Sequence, residues 1–364
     1  MRKVTLSVLA CLLLALAIYP LNQLFQEDSS NFYRGDDARF RYVGRFDLSE
    51  GHAPKSWAPG AYMECEVYGK SAELILKDEK RFGSLHNYIE VIIDHTHLRR
   101  IKLSRKVNVI SLFKFSKPGK HHILICKNTE SAIGFIQYLG IKCEKLLPPK
   151  TKKKRLFEFI GDSITCGNGA DSSQLSFGKG TWYDYHNAYL SYGPLLARQF
   201  DADWILSSVS GIGMQHSCCG MTYTMPEVYF NIDFQRRTKN WSFKGQSEPD
   251  LLFITLGQND NVNQMAEYER AYLSFIRKVR KVYPKSWIIC CTSPMAKEDF
   301  KVKQKKSISD VLNLQSQTGD KRIALFSYRK TYTAGYDKHP TISQHKEMLE
   351  ELTAFINENK GFLK

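Results

Sequence analysis

The sequence predicts two domains of different class, an all-β domain followed by an α/β domain built on a parallel sheet. Up to about residue 146, short segments alternate apolar and polar residues, which is the period of half-buried strands. From residue 153 onward, compact apolar strands alternate with segments of helical period. The chain has 364 residues, which is enough for both domains.

The first 25 residues predict a signal peptide or an N-terminal membrane anchor. Arg2 and Lys3 precede an apolar stretch over residues 4–18, and a polar segment follows Pro20. A basic start, an apolar core and a polar exit are typical of a secretory signal. The stretch is short for a membrane-spanning helix, which needs about 20 residues. We therefore expect an exported protein (periplasmic, cell-surface or extracellular) that meets a membrane only through a retained anchor.

Residues 35–146 predict a β-sandwich. The candidate strands are rich in Val, Ile, Tyr and Phe, and Gly, Pro, Asp and Ser separate them. No convincing amphipathic helix occurs in this region. The candidate strands cover residues 62–67, 72–76, 88–93, 107–113, 122–126 and 133–141.

Residues 153–364 predict the α/β domain, after a Pro-Pro pair and a basic stretch that mark the boundary. The predicted strands cover residues 156–160, 204–209, 250–256, 287–291 and 323–326. The predicted helices cover residues 186–200, 265–282, 307–315 and 343–357. Because ligands of parallel sheets bind beyond the carboxyl ends of the strands, a site is expected at those ends.

The net charge of +15 does not by itself indicate a nucleic-acid partner. The densest basic runs, at residues 150–155 and 301–306, are not interleaved with aromatic residues as in a single-strand binding face. We interpret both as solvated surface and expect no nucleic acid.

The nine cysteines do not predict a metal site, because they include no CxxC pair and no suitably spaced histidine. We expect no cofactor. An exported protein is expected to form some disulfides. Cys290 and Cys291, at the end of a buried strand, are expected to be free thiols.

Ser163 directly follows the first strand of the predicted parallel sheet, in the sequence Gly161-Asp162-Ser163. Gly161 permits a tight turn. Ser163 then lies at the start of the next helix, where its N–H is free and the helix dipole favours a developing anion. This position is equally typical of a nucleophilic serine and of a serine that only caps the helix.

Two further strand ends carry groups that can stabilise an oxyanion. After the second strand, Gly211 and the nearby Gly213 allow a backbone N–H to approach a ligand closely. After the third strand, Asn259 offers a side-chain amide donor. Each segment taken alone is more typical of an ordinary turn.

His339 lies just before the last predicted helix, between Asp337 and Pro340. A histidine with a nearby carboxylate can act as a general base, and the acid then fixes its tautomer. Together the four segments supply a nucleophile, two kinds of oxyanion donor, and a base with an acid. That is a complete set for acyl transfer.

The four segments resemble the four blocks of SGNH (GDSL-like) hydrolases, and the chain resembles carbohydrate esterase family two more closely still. Residues 159–167 are similar to that family's nucleophile block at nearly every position, and residues 224–227 to another of its segments. The β region carries further matches at residues 44–47, 57–60, 93–94 and 127–130. The likeness runs from about residue 40 to the end of the chain.

The resemblance implies a fold and a reaction. The fold is a jelly-roll or sandwich β domain followed by an SGNH-type three-layer parallel-sheet hydrolase domain. The reaction is the removal of acetyl groups from acetylated polysaccharide, such as xylan or mannan, without a metal. An acetylated polysaccharide or oligosaccharide is thus the expected partner.

The resemblance also implies roles for individual residues. The implied catalytic residues are Ser163 as nucleophile, His339 as base and Asp337 as acid, although some family members orient the histidine through backbone carbonyls. The implied oxyanion donors are the N–H groups of Ser163 and Gly211 and the side chain of Asn259. The expected substrate contacts are Asp162 and Lys338. An aromatic residue often stands at the position of Lys338 in that family, so this lysine favours an anionic glycan.

Two other functions remain open from the sequence. The first is an esterase that acts on other acetylated glycans or on lipids. The second is a carbohydrate-binding protein that kept the fold and lost catalysis, since β-sandwiches often bind sugars. The presence of Ser163, Asn259 and His339 favours the enzyme.

Overall fold

The computed structural model describes residues 31–148, 152–261 and 263–363. Within these ranges, no helix combines the length and the apolar character needed to cross a bilayer. The predicted signal or anchor at residues 1–25 lies outside the described residues, and it stays a prediction.

The N-terminal domain is an antiparallel sheet with the strand order β1-β8-β4-β7-β5-β6, in which β2 also pairs with β4 and β3 with β8. Its strands are β1 (Asn31–Arg34), β2 (Arg41–Val43), β3 (Lys55–Ser56), β4 (Tyr62–Asp78), β5 (Tyr88–Ile93), β6 (His97–Lys102), β7 (Val107–Lys127) and β8 (Ile136–Leu146). A 3-10 turn, Ser131–Ile133, precedes β8.

Two pairs of predicted strands are each one long strand in the structure. The predicted segments 62–67 and 72–76 both belong to β4, and 107–113 and 122–126 both belong to β7. The pairing of β4 with β7 shifts register between Gly69 and Ser71. A β-bulge of this kind bends a strand without ending it, so the break in the apolar pattern marks a bend and not a turn.

The C-terminal domain is a parallel sheet with the strand order β10-β9-β11-β12-β13. Its strands are β9 (Arg155–Gly161), β10 (Ala202–Ser208), β11 (Leu251–Thr255), β12 (Trp287–Cys291) and β13 (Ile323–Phe326). Its helices are α1 (Ser163–Cys166), α2 (Tyr192–Gln199), α3 (Met225–Val228), α4 (Met265–Val282), α5 (Glu298–Ser316) and α6 (Ile342–Glu358), with 3-10 turns at Trp182–Tyr185 and Tyr336–Lys338.

Helices cover both faces of the parallel sheet, as the near-continuous apolar strands require. Along β11, Leu251 and Phe253 pack with α2 and α6, whereas Leu252 and Ile254 pack with α4 and α5. The predicted order of an all-β domain and a parallel-sheet α/β domain is therefore confirmed. One detail differs: Lys301, interpreted as solvated, is only 5% exposed, and its ammonium donates to the carbonyl of Lys330.

The two domains share a continuous core. Tyr62 and Leu124 of the N-terminal domain belong to the same buried cluster as Phe157 and Trp204 of the C-terminal domain. The Trp204 indole N–H donates to the carbonyl of Gly60 at 2.8 Å.

Arg45 crosses the same interface and is 1% exposed. Its guanidinium donates to the carbonyls of Tyr229 and Asn231 at 2.6 and 2.9 Å. Four aromatic rings surround it, those of Tyr229, Phe234, Trp241 and Phe243. A buried guanidinium is tolerated only when its donors are paired in this way.

Candidate active site

The carboxyl ends of the three neighbouring strands β10, β9 and β11 bring the predicted site segments to one edge of the sheet. Gly161 is in register with Ser208 on one side and with Thr255 on the other. These three residues therefore lie at the same level of the sheet. Two to four residues later, the chain reaches the predicted site residues Ser163, Gly211 and Asn259. The structure thus brings together segments that are nearly a hundred residues apart in the chain.

Ser163 is the first residue of α1, and Asp162 is its N-cap. The Asp162 carboxylate accepts the N–H of Ile164 at 3.0 Å, and Gly167, at φ 72°, ends the helix after a single turn. A β-carbon on Gly161 would lie 2.0 Å from the Thr165 hydroxyl oxygen. Only glycine fits this close approach, so the turn that presents Ser163 depends on Gly161.

His339 is the side chain that meets Ser163. Its Nε2 lies 2.8 Å from the Ser163 hydroxyl oxygen, and its Nδ1 lies 3.0 Å from the carbonyl oxygen of Asp337. A carbonyl only accepts, so Nδ1 carries the proton and Nε2 is free to accept from the Ser163 hydroxyl. Ser163 and His339 are 7% and 9% exposed, which leaves a narrow opening for substrate.

The acid predicted to orient His339 acts here through its backbone. The side chain of Asp337 is exposed, and it makes no hydrogen bond to His339 in the described residues. Asp337 and Lys338 have left-handed backbone conformations, with φ of 49° and 59°. This unusual turn directs the Asp337 carbonyl at the imidazole. Left-handed residues cost free energy and persist only where the surrounding structure fixes them.

The oxyanion donors predicted from the sequence are free or partly free in the structure. Within the described chain, the N–H groups of Ser163 and Gly211 donate to no protein acceptor. Gly213, the alternative to Gly211, donates its N–H to the Ser217 hydroxyl. One amide hydrogen of Asn259 donates to the carbonyl of Ile212 at 2.9 Å, which fixes the amide and leaves its second hydrogen for a ligand.

The two residues predicted to contact substrate occupy different environments. Lys338 is exposed on the turn before His339. Asp162 is 1% exposed and serves as the helix cap. Burial raises the pKa of the Asp162 carboxyl to about 7. Its carboxylate caps the helix that begins at Ser163, and its predicted contact with substrate stays a prediction.

Asp260 was not singled out from the sequence, although it belongs to the same segment as Asn259. Its carboxylate accepts the N–H groups of Met214, Gln215 and His216 at 2.9, 2.6 and 2.9 Å. These bonds tie the loop after β10 to the end of β11. The sequence feature that could have identified Asp260 is its position directly after Asn259, the predicted oxyanion donor.

A cavity of about 640 Å³ lies away from these side chains. Its lining includes Lys152, Lys153 and Lys154 just before β9, and Asp201 just before β10. It therefore lies at the amino ends of the parallel strands, at the opposite edge of the sheet from Ser163. The lining of this cavity does not include Ser163 or His339, so we place the candidate active site at these two side chains and not in the cavity.

The described residues of the site include neither a metal-binding cluster nor an extended disulfide network. In the described ranges, no group of three or more His, Cys, Asp or Glu side chains is arranged to hold a metal. The disulfide of the described chain joins Cys218 to Cys219, next to the loop of Gly211. Cys290 and Cys291 are buried free thiols, as expected.

The pH dependence of the site follows from His339. Burial lowers its pKa below the usual 6.5, and the negative charge and carbonyl of Asp337 offset part of this effect. A general base works in its neutral form, so activity is retained above this pKa and lost as the pH falls through it. We expect kcat/KM for an aryl acetate to fall on the acid side with a midpoint below 6.5, from rates measured between about pH 4 and about pH 8.

The matched control for this profile is Asp162→Asn, which keeps the helix cap and removes a carboxyl of raised pKa next to Ser163. The acid midpoint should persist in that variant. A midpoint at or above 6.5 in the wild type, or its loss in Asp162→Asn, would contradict the assignment to His339.

Comparison with known families matches each domain separately. Residues 42–149 match the family model described as carbohydrate esterase 2 N-terminal, and residues 159–327 match the GDSL-like lipase/acylhydrolase family. Together the two family models cover most of the described chain. The first matches the N-terminal antiparallel-sheet domain, and the second matches the C-terminal parallel-sheet domain.

Two curated relatives extend over nearly the whole chain. The cellulase/esterase CelE of Acetivibrio thermocellus is 30% identical over 90% of this chain, which spans 40% of the length of CelE. A protein of Cellvibrio japonicus named acetylxylan esterase / glucomannan deacetylase is 26% identical over 89% of this chain and 90% of its own length.

Solved structures agree with these relatives. A family two carbohydrate esterase from Clostridium thermocellum, in complex with cellohexaose, is 28% identical with a TM-score of 0.80, over 89% of this chain and all of the other. A family two carbohydrate esterase from Cellvibrio japonicus has a TM-score of 0.82 at 24% identity, which supports the fold alone.

Proposed function

Because the chain belongs to carbohydrate esterase family two, within the GDSL-like hydrolases, we propose that it is a serine esterase that removes O-acetyl groups from polysaccharide. The observation that carries the proposal is the 2.8 Å contact between the Ser163 hydroxyl and His339 Nε2, with Nδ1 fixed by a carbonyl. This arrangement is that of an activated nucleophile.

Acylation begins when the Ser163 oxygen attacks the acetyl carbonyl carbon. His339 Nε2 takes the hydroxyl proton as the new C–O bond forms. The negative charge that develops on the carbonyl oxygen is stabilised by the free N–H groups of Ser163 and Gly211 and by the Asn259 amide. The tetrahedral intermediate then collapses, and the sugar oxygen leaves with the proton from His339.

Deacylation repeats the same steps with water. His339 Nε2 removes a proton from the attacking water, the same donors stabilise the second oxyanion, and acetate leaves as Ser163 regains its proton. In both steps the imidazolium is stabilised by the carbonyl of Asp337, at 3.0 Å from Nδ1. The site is thus a Ser-His pair supported by a backbone acceptor.

Replacing Asp337 with asparagine should change kcat only a little, but it should measurably shift the pH dependence of the reaction. The carbonyl that holds His339 is retained, and asparagine tolerates the left-handed backbone. We expect kcat within about tenfold of wild type, since only a solvent-screened charge is lost. Because the Asp337 charge raises the pKa of His339, the acid midpoint should move to lower pH.

Kinetics of the two proteins across the pH range check this expectation. A loss of about 10⁴-fold, as found when a buried triad aspartate is removed, would show that the carboxylate is required. In that case Asp337 would act through its side chain in the substrate complex.

The proposed substrate is an acetylated polysaccharide of the xylan or mannan type. The names of the curated relatives support this class. The exposed Lys338 and the net charge of +15 favour an acetylated glycan that also carries carboxylates. We further propose that the protein is exported, since the basic and apolar residues 1–25 have the pattern of a secretory signal.

Acetate release tests the proposal, using acetylated glucuronoxylan, acetylated mannan, an acetylated lipid and a small aryl acetate, with Ser163→Ala as the control. We expect release from at least one polysaccharide by the wild type and none by the variant. Release from the aryl acetate or the lipid alone would retain the mechanism and reject the polysaccharide. Tight binding of the glycan without any release would favour a carbohydrate-binding protein.

A further inference from the structure

Glu130 is a buried carboxylate of the N-terminal domain that reaches into the hydrolase domain beside the oxyanion loop. It is 0% exposed and lies between β7 and the 3-10 turn before β8. Its Oε2 accepts the N–H of Ser210 at 2.7 Å. Ser210 directly precedes Gly211, whose own N–H is free for an oxyanion.

The same carboxylate oxygen also touches the helix of the nucleophile. The thiol of Cys166 lies 3.8 Å from Glu130 Oε2 and 3.3 Å from the Ser208 hydroxyl. Cys166 is the last residue of α1, which begins at Ser163. A single group from the N-terminal domain therefore contacts both the loop after β10 and the helix after β9.

The backbone at Glu130 is itself held by hydrogen bonds. The ammonium of Lys127, which is 0% exposed, donates to the carbonyls of Thr129 and Glu130 at 2.5 and 3.1 Å. These bonds fix the backbone from which the Glu130 side chain extends. A contact made by a fixed group can orient its partner, whereas a contact made by a mobile group cannot.

The loop that Glu130 contacts needs such support. Gly211 has φ of 81°, and a glycine peptide has several conformations of similar energy. The loop is held on both sides of its free N–H: Glu130 accepts from Ser210, and the carbonyl of Gly211 accepts the N–H of Cys218 at 2.8 Å. Loss of either bond would let the peptide rotate and turn its N–H away from the oxyanion.

We propose that Glu130 is a positioning residue of the esterase, through which the N-terminal domain sets the direction of the Gly211 oxyanion donor. The inference rests on the proposed function. The N-terminal domain is then part of the catalytic apparatus.

Two substitutions test the proposal. Glu130→Ala removes the acceptor of the Ser210 N–H, and Glu130→Gln keeps an acceptor oxygen while removing the charge. A misplaced oxyanion donor is expected to lower kcat by about 10²-fold in Glu130→Ala, with KM for an aryl acetate unchanged. Glu130→Gln should lose clearly less, because its amide oxygen still accepts the N–H.

The matched controls are Glu90→Ala and Glu90→Gln, one for each Glu130 variant. Glu90 is also a buried carboxylate of the N-terminal domain that bonds across the interface, to Asn187 at 3.4 Å, but it does not contact the oxyanion loop. The kcat of both Glu90 variants should stay close to wild type. All variants are first compared by melting temperature. If Glu130→Ala does not fold, Glu130→Gln decides the outcome: a fall in kcat that Glu90→Gln does not share supports the proposal, and a kcat equal to wild type overturns it.

A second measurement separates positioning from a general loss of structure. A boronic acid that adds to Ser163 forms a tetrahedral anion, so its inhibition constant reports on the oxyanion site. We expect this constant to rise in the Glu130 variants by the factor by which kcat falls. An unchanged kcat in Glu130→Ala, or an equal loss in the matching Glu90 variant, would overturn this inference alone. A wild type that hydrolyses no acetyl ester would overturn the proposed function, and the inference with it.

Discussion

Replacing Ser163 with alanine should lower kcat for acetate release by about 10⁶-fold, which leaves only the small residual rate that binding and oxyanion stabilisation provide. The hydroxyl oxygen lies 2.8 Å from His339 Nε2. Without it no acyl-enzyme can form, and His339 can at best activate water. A factor of this size corresponds to about 8 kcal/mol of activation free energy.

The fold should survive this change. The Ser163 hydroxyl has His339 as its hydrogen-bond partner, and the cap of α1 is the side chain of Asp162. We therefore expect a melting temperature close to wild type, together with loss of the acetylated Ser163 peptide in mass spectra of protein quenched during turnover. Substantial acetate release by a folded Ser163→Ala protein would reject the serine mechanism.

Replacing Asn259 with alanine should lower kcat by about 10² to 10³-fold, or about 3 to 4 kcal/mol, while KM changes little. An oxyanion donor acts on charge that exists only in the transition state, so its loss appears in kcat. The amide also holds the carbonyl of Ile212, which adds a smaller loss through the loop that carries Gly211.

Gln258→Ala is the matched control for this prediction. Gln258 is the neighbouring half-buried amide at the end of β11, and its oxygen accepts the Ser293 hydroxyl. Steady-state kinetics should show kcat near wild type for Gln258→Ala and a large loss for Asn259→Ala. If the two variants lose equally, or if Asn259→Ala stays within about threefold of wild type, Asn259 is not an oxyanion donor.

The parallel-sheet domain was predicted closely because its elements carry local signals. The helix Met265–Val282 and the strand Trp287–Cys291 have the predicted bounds. The helix predicted at 186–200 begins instead at Tyr192. Pro194 has no N–H and fits only in the first turn of a helix, so the helix starts just before it.

The site was predicted in part, and what was missed depends on contacts without a local sequence signal. The meeting of Ser163 and His339 was expected, because Ser163 follows a strand end and His339 lies at the entry to the last helix. The support of His339 by the carbonyl of Asp337 could not be assigned, because any residue has a carbonyl and only the turn directs it. Glu130 lies 80 residues from Ser210, in another domain, and no periodicity connects the two.

The continuous core between the domains has a consequence for how this protein folds. This interface cannot open without exposing buried aromatic rings to water and breaking the hydrogen bonds of Arg45 to the carbonyls of Tyr229 and Asn231. The two domains are therefore expected to melt in one cooperative transition, and neither is suited to exist alone. Each domain completes the buried core of the other, so we expect that neither domain folds when it is expressed without its partner.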